Sequence, residues 1–205
     1  MKKILTKSLL IASLLGLTTS SYADGYTFDI DSLIGIEGGY TSFDVENDSL
    51  TIDKGIHKYN VGEVGLKIGA QSQNYRLFLS VHNYFASDYD YAVTYGGEFQ
   101  YLFNFSQKAN FFIGINGGML AARFVGYGIL DSKARTISDP YFGGDVGFNY
   151  HLNKTYDLEI GARVMATDAK NTQTINYPSG ARNVTYTFDN LVTGYASIIV
   201  KFQMD

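Results

Sequence analysis

The stretch YAVTYGGEFQYLFNF, residues 91–105, decides how the chain reads. Tyr91, Val93, Tyr95, Gly97, Phe99, Tyr101, Phe103 and Phe105 share one parity. Ala92, Thr94, Gly96, Glu98, Gln100 and Asn104 share the other, which is mostly small or polar. Successive side chains leave a strand on opposite sides, so period two over this length marks a β-strand with an aromatic face. That face meets either a protein core or lipid.

Composition favours strands throughout. The 205 residues suit one domain and include 17 Tyr, 14 Phe and 22 Gly, with two Pro and no Cys or Trp. Without cysteine there is no disulfide and no thiolate metal site. The N-terminus is tripartite: basic MKKILTK, apolar SLLIASLLGL, then TTSSYA with small residues at Ser21 and Ala23. This pattern predicts a secretory signal over 1–23, cleaved to leave a mature chain of 24–205. Losing Lys2, Lys3 and Lys7 leaves 13 basic residues against 20 acidic, a net charge of −7. Nucleic acid is not expected as a partner.

No later stretch offers 18 consecutive apolar residues, so no transmembrane helix is expected in the mature chain. Instead the alternation recurs. Ile34, Ile36 and Tyr40 oppose Gly35, Glu37 and Gly39; Val64, Leu66 and Ile68 oppose Glu63, Gly65 and Lys67. Tyr75, Leu77, Leu79 and Val81 oppose Arg76, Ser80 and His82; Phe111, Ile113 and Ile115 oppose Gly114, Asn116 and Gly118. Phe142, Val146, Phe148 and Tyr150 oppose Asp145, Gly147, Asn149 and His151. Tyr156, Leu158, Ile160 and Val164 oppose Asp157, Glu159, Gly161 and Arg163. Ala196, Ile198, Val200 and Phe202 oppose Tyr195, Ser197 and Lys201. With residues 91–105 this makes eight strands.

Their connections alternate: long DVENDSLTIDKG, short QSQN, ASDYD, short SQKAN, long RFVGYGILDSKARTISDP, short NKT, long DAKNTQTINYPSGARN. Short turns on one side and longer loops on the other, with an even strand number, suit a closed antiparallel up-and-down transmembrane barrel, which satisfies its backbone in hydrocarbon. A soluble barrel would turn a face dense in Lys and Glu to water. Here the polar face is largely Gly, Ser, Thr and Asn, which suits a narrow lumen. Aromatics gather at strand ends: Tyr75, Phe103, Phe105, Phe111, Tyr150, Tyr156 and Phe202 near the short turns, and Tyr40, Phe85, Tyr91 and Phe142 toward the long loops. Two such girdles are expected at two membrane interfaces.

From about Leu33 to Phe202 the chain resembles small bacterial outer-membrane β-barrel proteins of the OmpA-like, OmpX-like and opacity-protein type. The last strand is similar to their C-terminal assembly signal, although Gln203, Met204 and Asp205 follow Phe202 and Val200 stands where an aromatic is common. The resemblance implies a Gram-negative outer-membrane location, contact with lipid and lipopolysaccharide, insertion by the barrel-assembly machinery, and a monomer. Nothing in the chain looks like a periplasmic peptidoglycan-binding domain.

The inward charges Glu37, Glu63, Lys67, Arg76, Glu98, Asp145, Glu159 and Arg163 are the candidate site. Glu63, Glu98, Asp145 and Arg163 are expected at similar depth with Glu37 nearby, and Lys67, Arg76, Glu159 and Lys201 lower. An eight-stranded interior is just wide enough for side chains to fill, so these charges should pair across it. The leading expectation is a structural or surface-interaction barrel with a charged plug; the alternative is a narrow, gated, cation-preferring channel. A lipid-modifying enzyme is the third class. It would need a nucleophile, a base and an orienting group. Ser80 and His82 share the inward face of one strand but are walled off from lipid, and His57 and His151 fall near opposite ends. No catalytic residue, metal or cofactor is therefore expected. The loops 124–139 and 168–185 are candidate contacts for a host, phage or lipopolysaccharide ligand, with Arg123, Lys133 and Arg135 available to phosphates.

Overall fold

The computed structural model describes residues 30–48, 55–125, 136–177 and 180–203. The leader expected at 1–23 lies outside them, as do Lys133, Arg135 and the side chain of His57. The strands are β1 (Ile30–Asp48), β2 (Gly55–Ser72), β3 (Tyr75–Tyr84), β4 (Tyr89–Asn104), β5 (Ala109–Phe124), β6 (Thr136–His151), β7 (Tyr156–Thr167), β8 (Lys170–Tyr177), β9 (Gly180–Phe188) and β10 (Leu191–Phe202).

β1 to β7 each lie beside the next, and β10 closes the ring by pairing with both β7 and β1. Eight strands thus make a closed barrel whose wall has no edge. The tight turns have local causes. Only Gln73 and Asn74 separate β2 from β3, and Gln73 takes a left-handed φ of 39°, as the twist of a two-residue hairpin demands. Between β6 and β7, Asn153 Oδ1 accepts hydrogen bonds from the amides of Thr155 (2.8 Å) and Tyr156 (2.9 Å).

Burial is inverted relative to a water-soluble protein. Ile36, Phe148 and Ile160 are 57–61% exposed on the outer face, whereas Lys67, Arg76 and Arg163 are 1% exposed inside. A contiguous apolar band of this extent is not compatible with water as the solvent. The face of Tyr91, Tyr95, Phe99 and Phe103 is part of that band, and it meets lipid.

Three features depart from the sequence expectation. Residues 168–183, read as a loop, contain β8 and the start of β9, a hairpin tied by Thr172–Thr185 (2.9 Å) and Thr174–Asn183 (2.8 Å) side-chain hydrogen bonds. It stands on the barrel because β9 pairs Phe188–Thr185 with Val45–Asp48 of β1, above the point where β10 leaves off. The loops expected at 44–55 and 123–140 are strand at both ends: β1 runs on to Asp48, β2 begins at Gly55, β5 runs to Phe124, and β6 already begins at Thr136. Finally, the interior is polar for only part of its length. Its far half, away from the short turns, holds an apolar cluster that includes Phe43, Val45, Tyr84, Tyr89, Leu120, Ile137, Met165, Phe188 and Leu191.

Candidate functional site

All eight charged residues of the candidate site are buried, and Lys201 is partly so. The barrel's curvature leaves little room, and inward glycines supply what there is. A Cβ on Gly35 would come within 2.8 Å of Lys67 Cγ, and one on Gly65 would overlap the His82 ring. These two glycines let two long side chains cross the lumen.

The charges form one alternating chain. Arg163 bonds Glu98 (3.2 Å) and Glu37 (2.9 Å); Lys67 bridges Glu37 (2.8 Å) and Glu159 (2.7 Å). Arg76 continues from Glu159 (2.7 Å) to Asp157 (3.7 Å), and Asp157 also takes Lys201 (2.9 Å) and His151 Nδ1 (2.8 Å). Neutral partners take up part of the rest: Arg76 donates to Gln71 Oε1 and to Asn149 Oδ1, and Asn149 donates to Asn110. Two aromatic faces pack against the cations. Lys67 Nζ lies 5.1 Å from the centres of both Phe78 and Tyr195, and Arg163 Cζ 4.7 Å from Tyr195.

Six of the eight charged residues named from the sequence thus belong to the ion-paired chain: Glu37, Lys67, Arg76, Glu98, Glu159 and Arg163. Glu63 and Asp145 do not. Glu63 accepts from Thr41 (2.7 Å) and Asp145 from Gln100 (2.6 Å), both neutral donors. Asp157 is a residue the sequence candidates omitted, though it holds the lower end of the chain; its inward parity on β7 was the available signal. His82 is engaged on both sides, with Nε2 3.2 Å from Glu37 and 3.1 Å from Arg163 and Nδ1 3.4 Å from Thr94. Among the described residues no three His, Asp or Glu side chains are arranged to hold a metal ion.

The two aromatic sets occupy the outer face. Tyr75, Phe103, Phe105, Tyr150, Tyr156 and Phe202 are exposed near the short turns, and Phe111 is half-buried between Phe103 (5.9 Å) and Phe148 (5.3 Å). Tyr101, not among the candidates, joins Tyr75 (5.3 Å) to Phe103 (4.8 Å). Tyr40, Phe85, Tyr91 and Phe142 are exposed toward the other end. Arg123 pairs with Asp90 at 3.4 Å on the surface. Packed rings occupy the far part of the interior: Phe43 stacks on Tyr59 (5.2 Å) and Phe188 (5.9 Å), and Tyr89 meets Phe124 at a tilt (4.8 Å). On the wall, where β6 and β7 part beyond the Tyr141–Thr167 pair, a cleft of about 430 Å³ opens beside Asp139, Pro140, Phe142, Asp168 and Asp189.

No family model matches the chain, and no curated protein does. Solved structures match it over most of its length. Neisserial surface protein A is 16% identical with a TM-score of 0.57, the match covering 83% of this chain and 97% of that one. The outer membrane protein OprG of Pseudomonas aeruginosa is 16% identical with a TM-score of 0.53, covering 85% and 97%. The outer membrane protein AlkL, solved in lipid bilayers, is 14% identical with a TM-score of 0.50, covering 89% and 96%. The chain therefore has the fold of the small eight-stranded outer-membrane barrels.

Proposed function

We propose that the protein is an outer-membrane barrel with a sealed lumen, whose role is structural and surface-interacting rather than conductive. The observation that carries this reading is the filling of the interior. An ion-paired chain runs from Glu98 to Lys201, and an apolar ring cluster around Phe43, Tyr89 and Phe188 lies beyond it. Opening a path for solutes would break several buried ion pairs at once, at about 3–5 kcal/mol for each partner removed. It would also pull apart packed rings in the far half.

The surface part of the reading rests on the far rim. With the short turns facing the periplasm, as this type of barrel inserts, the β8–β9 hairpin and the acidic cleft beside Pro140 face outward from the cell. Among the described residues β8 ends the strand order, with main-chain pairing to β9 on one side and an Asn171 side-chain contact to Thr136 of β6, so its other edge has main-chain donors and acceptors for a partner. The outer aromatic sets contact lipid, and the rim contacts lipopolysaccharide or a host or phage ligand. Planar-bilayer recording from the refolded protein tests the sealed lumen. No steady conductance above the bare bilayer is expected. A stable, cation-selective step in the wild type would overturn this reading in favour of a channel.

A further inference from the structure

Among the described residues the lumen holds six carboxylates, Glu37, Glu63, Glu98, Asp145, Asp157 and Glu159, against the lysines and arginines Lys67, Arg76, Arg163 and Lys201. The excess is not spread evenly. On three neighbouring strands, β4, β5 and β6, four inward residues carry oxygens with no hydrogen-bond partner among the described residues: Glu98 Oε2, Gln100 Oε1, Asn116 Oδ1 and Asp145 Oδ1. The Asn116 amide nitrogen has none either, although Asn116 is only 3% exposed. A buried amide with neither group satisfied is uncommon and points to a missing partner.

Register brings these residues together. Glu98 stands directly across from Asn116, and Gln100 from Gly114, which in turn stands across from Asp145. Directly opposed side chains on one face start about 5 Å apart and diagonal ones about 7–8 Å, so the four side chains start within reach of one another, Gln100 and Asp145 over Gly114 and Asn116 beside Gly143. The fit there is close: a Cβ on Gly114 would lie 2.7 Å from Asp145 Oδ1. Asp145 has only the neutral Gln100 as donor, and Glu98 shares Arg163 with Glu37. The spot is thus rich in oxygen and closed to bulk solvent, and its two carboxylates share one nearby base, Arg163, with Glu37. Two carboxylates and two amide carbonyls are the donor types that hard cations take, calcium with up to eight oxygens and water completing the shell. Magnesium dehydrates too reluctantly for such a site.

We propose that Glu98, Gln100, Asn116 and Asp145 form an internal site for a hard cation, calcium or sodium. The cation supplies positive charge beside Asp145 and locks β4, β5 and β6 together, meeting the ion-paired chain at its Glu98 end. This inference does not depend on the surface reading, since a sealed barrel with any partner, or none, would hold the ion.

The test uses the full mature barrel refolded in detergent and stripped of metal with chelator in choline chloride. Calcium chloride or sodium chloride is then titrated at constant ionic strength, reading the temperature at which the heat-modifiable folded band is lost on gels. One of the two salts should raise this midpoint saturably over choline, by a hundredfold in the folding constant at a hundred times its Kd. Equilibrium dialysis with radioactive calcium or sodium should find one ion per barrel. Asp145→Asn should lose the ion and the salt effect, and be more stable than wild type in choline because it removes an uncompensated buried charge. Asn116→Leu, which leaves both carboxylates in place, should bind at least tenfold more weakly. Equal midpoints in choline, sodium and calcium would overturn the proposal. So would ion binding that persists in Asp145→Asn, which would place the cation at the acidic rim instead.

Discussion

Arg163→Ala probes the interior most directly. Arg163 is 1% exposed, donates to Glu37 at 2.9 and 3.4 Å and to Glu98 at 3.2 Å, and stacks on Tyr195 at 4.7 Å. Its removal strands the two carboxylates unequally. Glu37 keeps Lys67 at 2.8 Å and His82 at 3.2 Å, whereas Arg163 is the cation that contacts Glu98. Breaking a buried pair by deleting one partner costs about 3–5 kcal/mol, because the remaining charge stays desolvated. Loss of the stack adds roughly 0.5–2 kcal/mol. Urea unfolding in phospholipid vesicles, followed by the β-sheet circular dichroism signal, should therefore show Arg163→Ala less stable by about 3.5–7 kcal/mol. Part of that, about 1–3 kcal/mol, should return when Glu98→Gln is added, since the second change removes the stranded charge. A loss below about 1 kcal/mol, or no rescue by Glu98→Gln, would refute the view that Arg163 holds the upper end of the charge chain.

Leu79→Arg, on the outer face of β3, should cost about 2–4 kcal/mol in lipid. Thr94→Ser keeps the hydroxyl that meets Tyr84 (3.0 Å) and His82 (3.4 Å), so it should cost under about 1 kcal/mol in the same urea assay; equal costs would mean the faces are reversed. The mature protein should begin near Asp24 and fractionate with outer membranes, which N-terminal sequencing of sucrose-gradient fractions checks; recovery in a soluble periplasmic extract would contradict the leader and the lipid-facing band together.

Some of this architecture follows from the chain alone because alternation is a local property. The parity that sends Ile36 outward sends Glu37 inward whatever the rest of the molecule does, and the same holds for Leu66 and Lys67 or Val164 and Arg163. Barrel closure follows as well, since lipid-facing strands cannot leave an edge. Even the apolar far half was within reach of parity: Thr41, Phe43 and Val45 continue the inward row of Glu37, but polar residues between them look like the start of a loop. The β8–β9 hairpin was not within reach. Its sequence KNTQTINY has no apolar face to alternate, and it is held in the sheet by Val45–Asp48 of β1, more than 120 residues away. Partner choice in the lumen is of the same kind. Arg163 meets Glu37 across 126 residues of sequence while Asp145, its direct neighbour on β6, is left to Gln100. Parity says which side of the wall a charge occupies, whereas the stagger of eight closed strands decides how high it sits and what it faces, and that stagger exists only once the last strand has paired with the first.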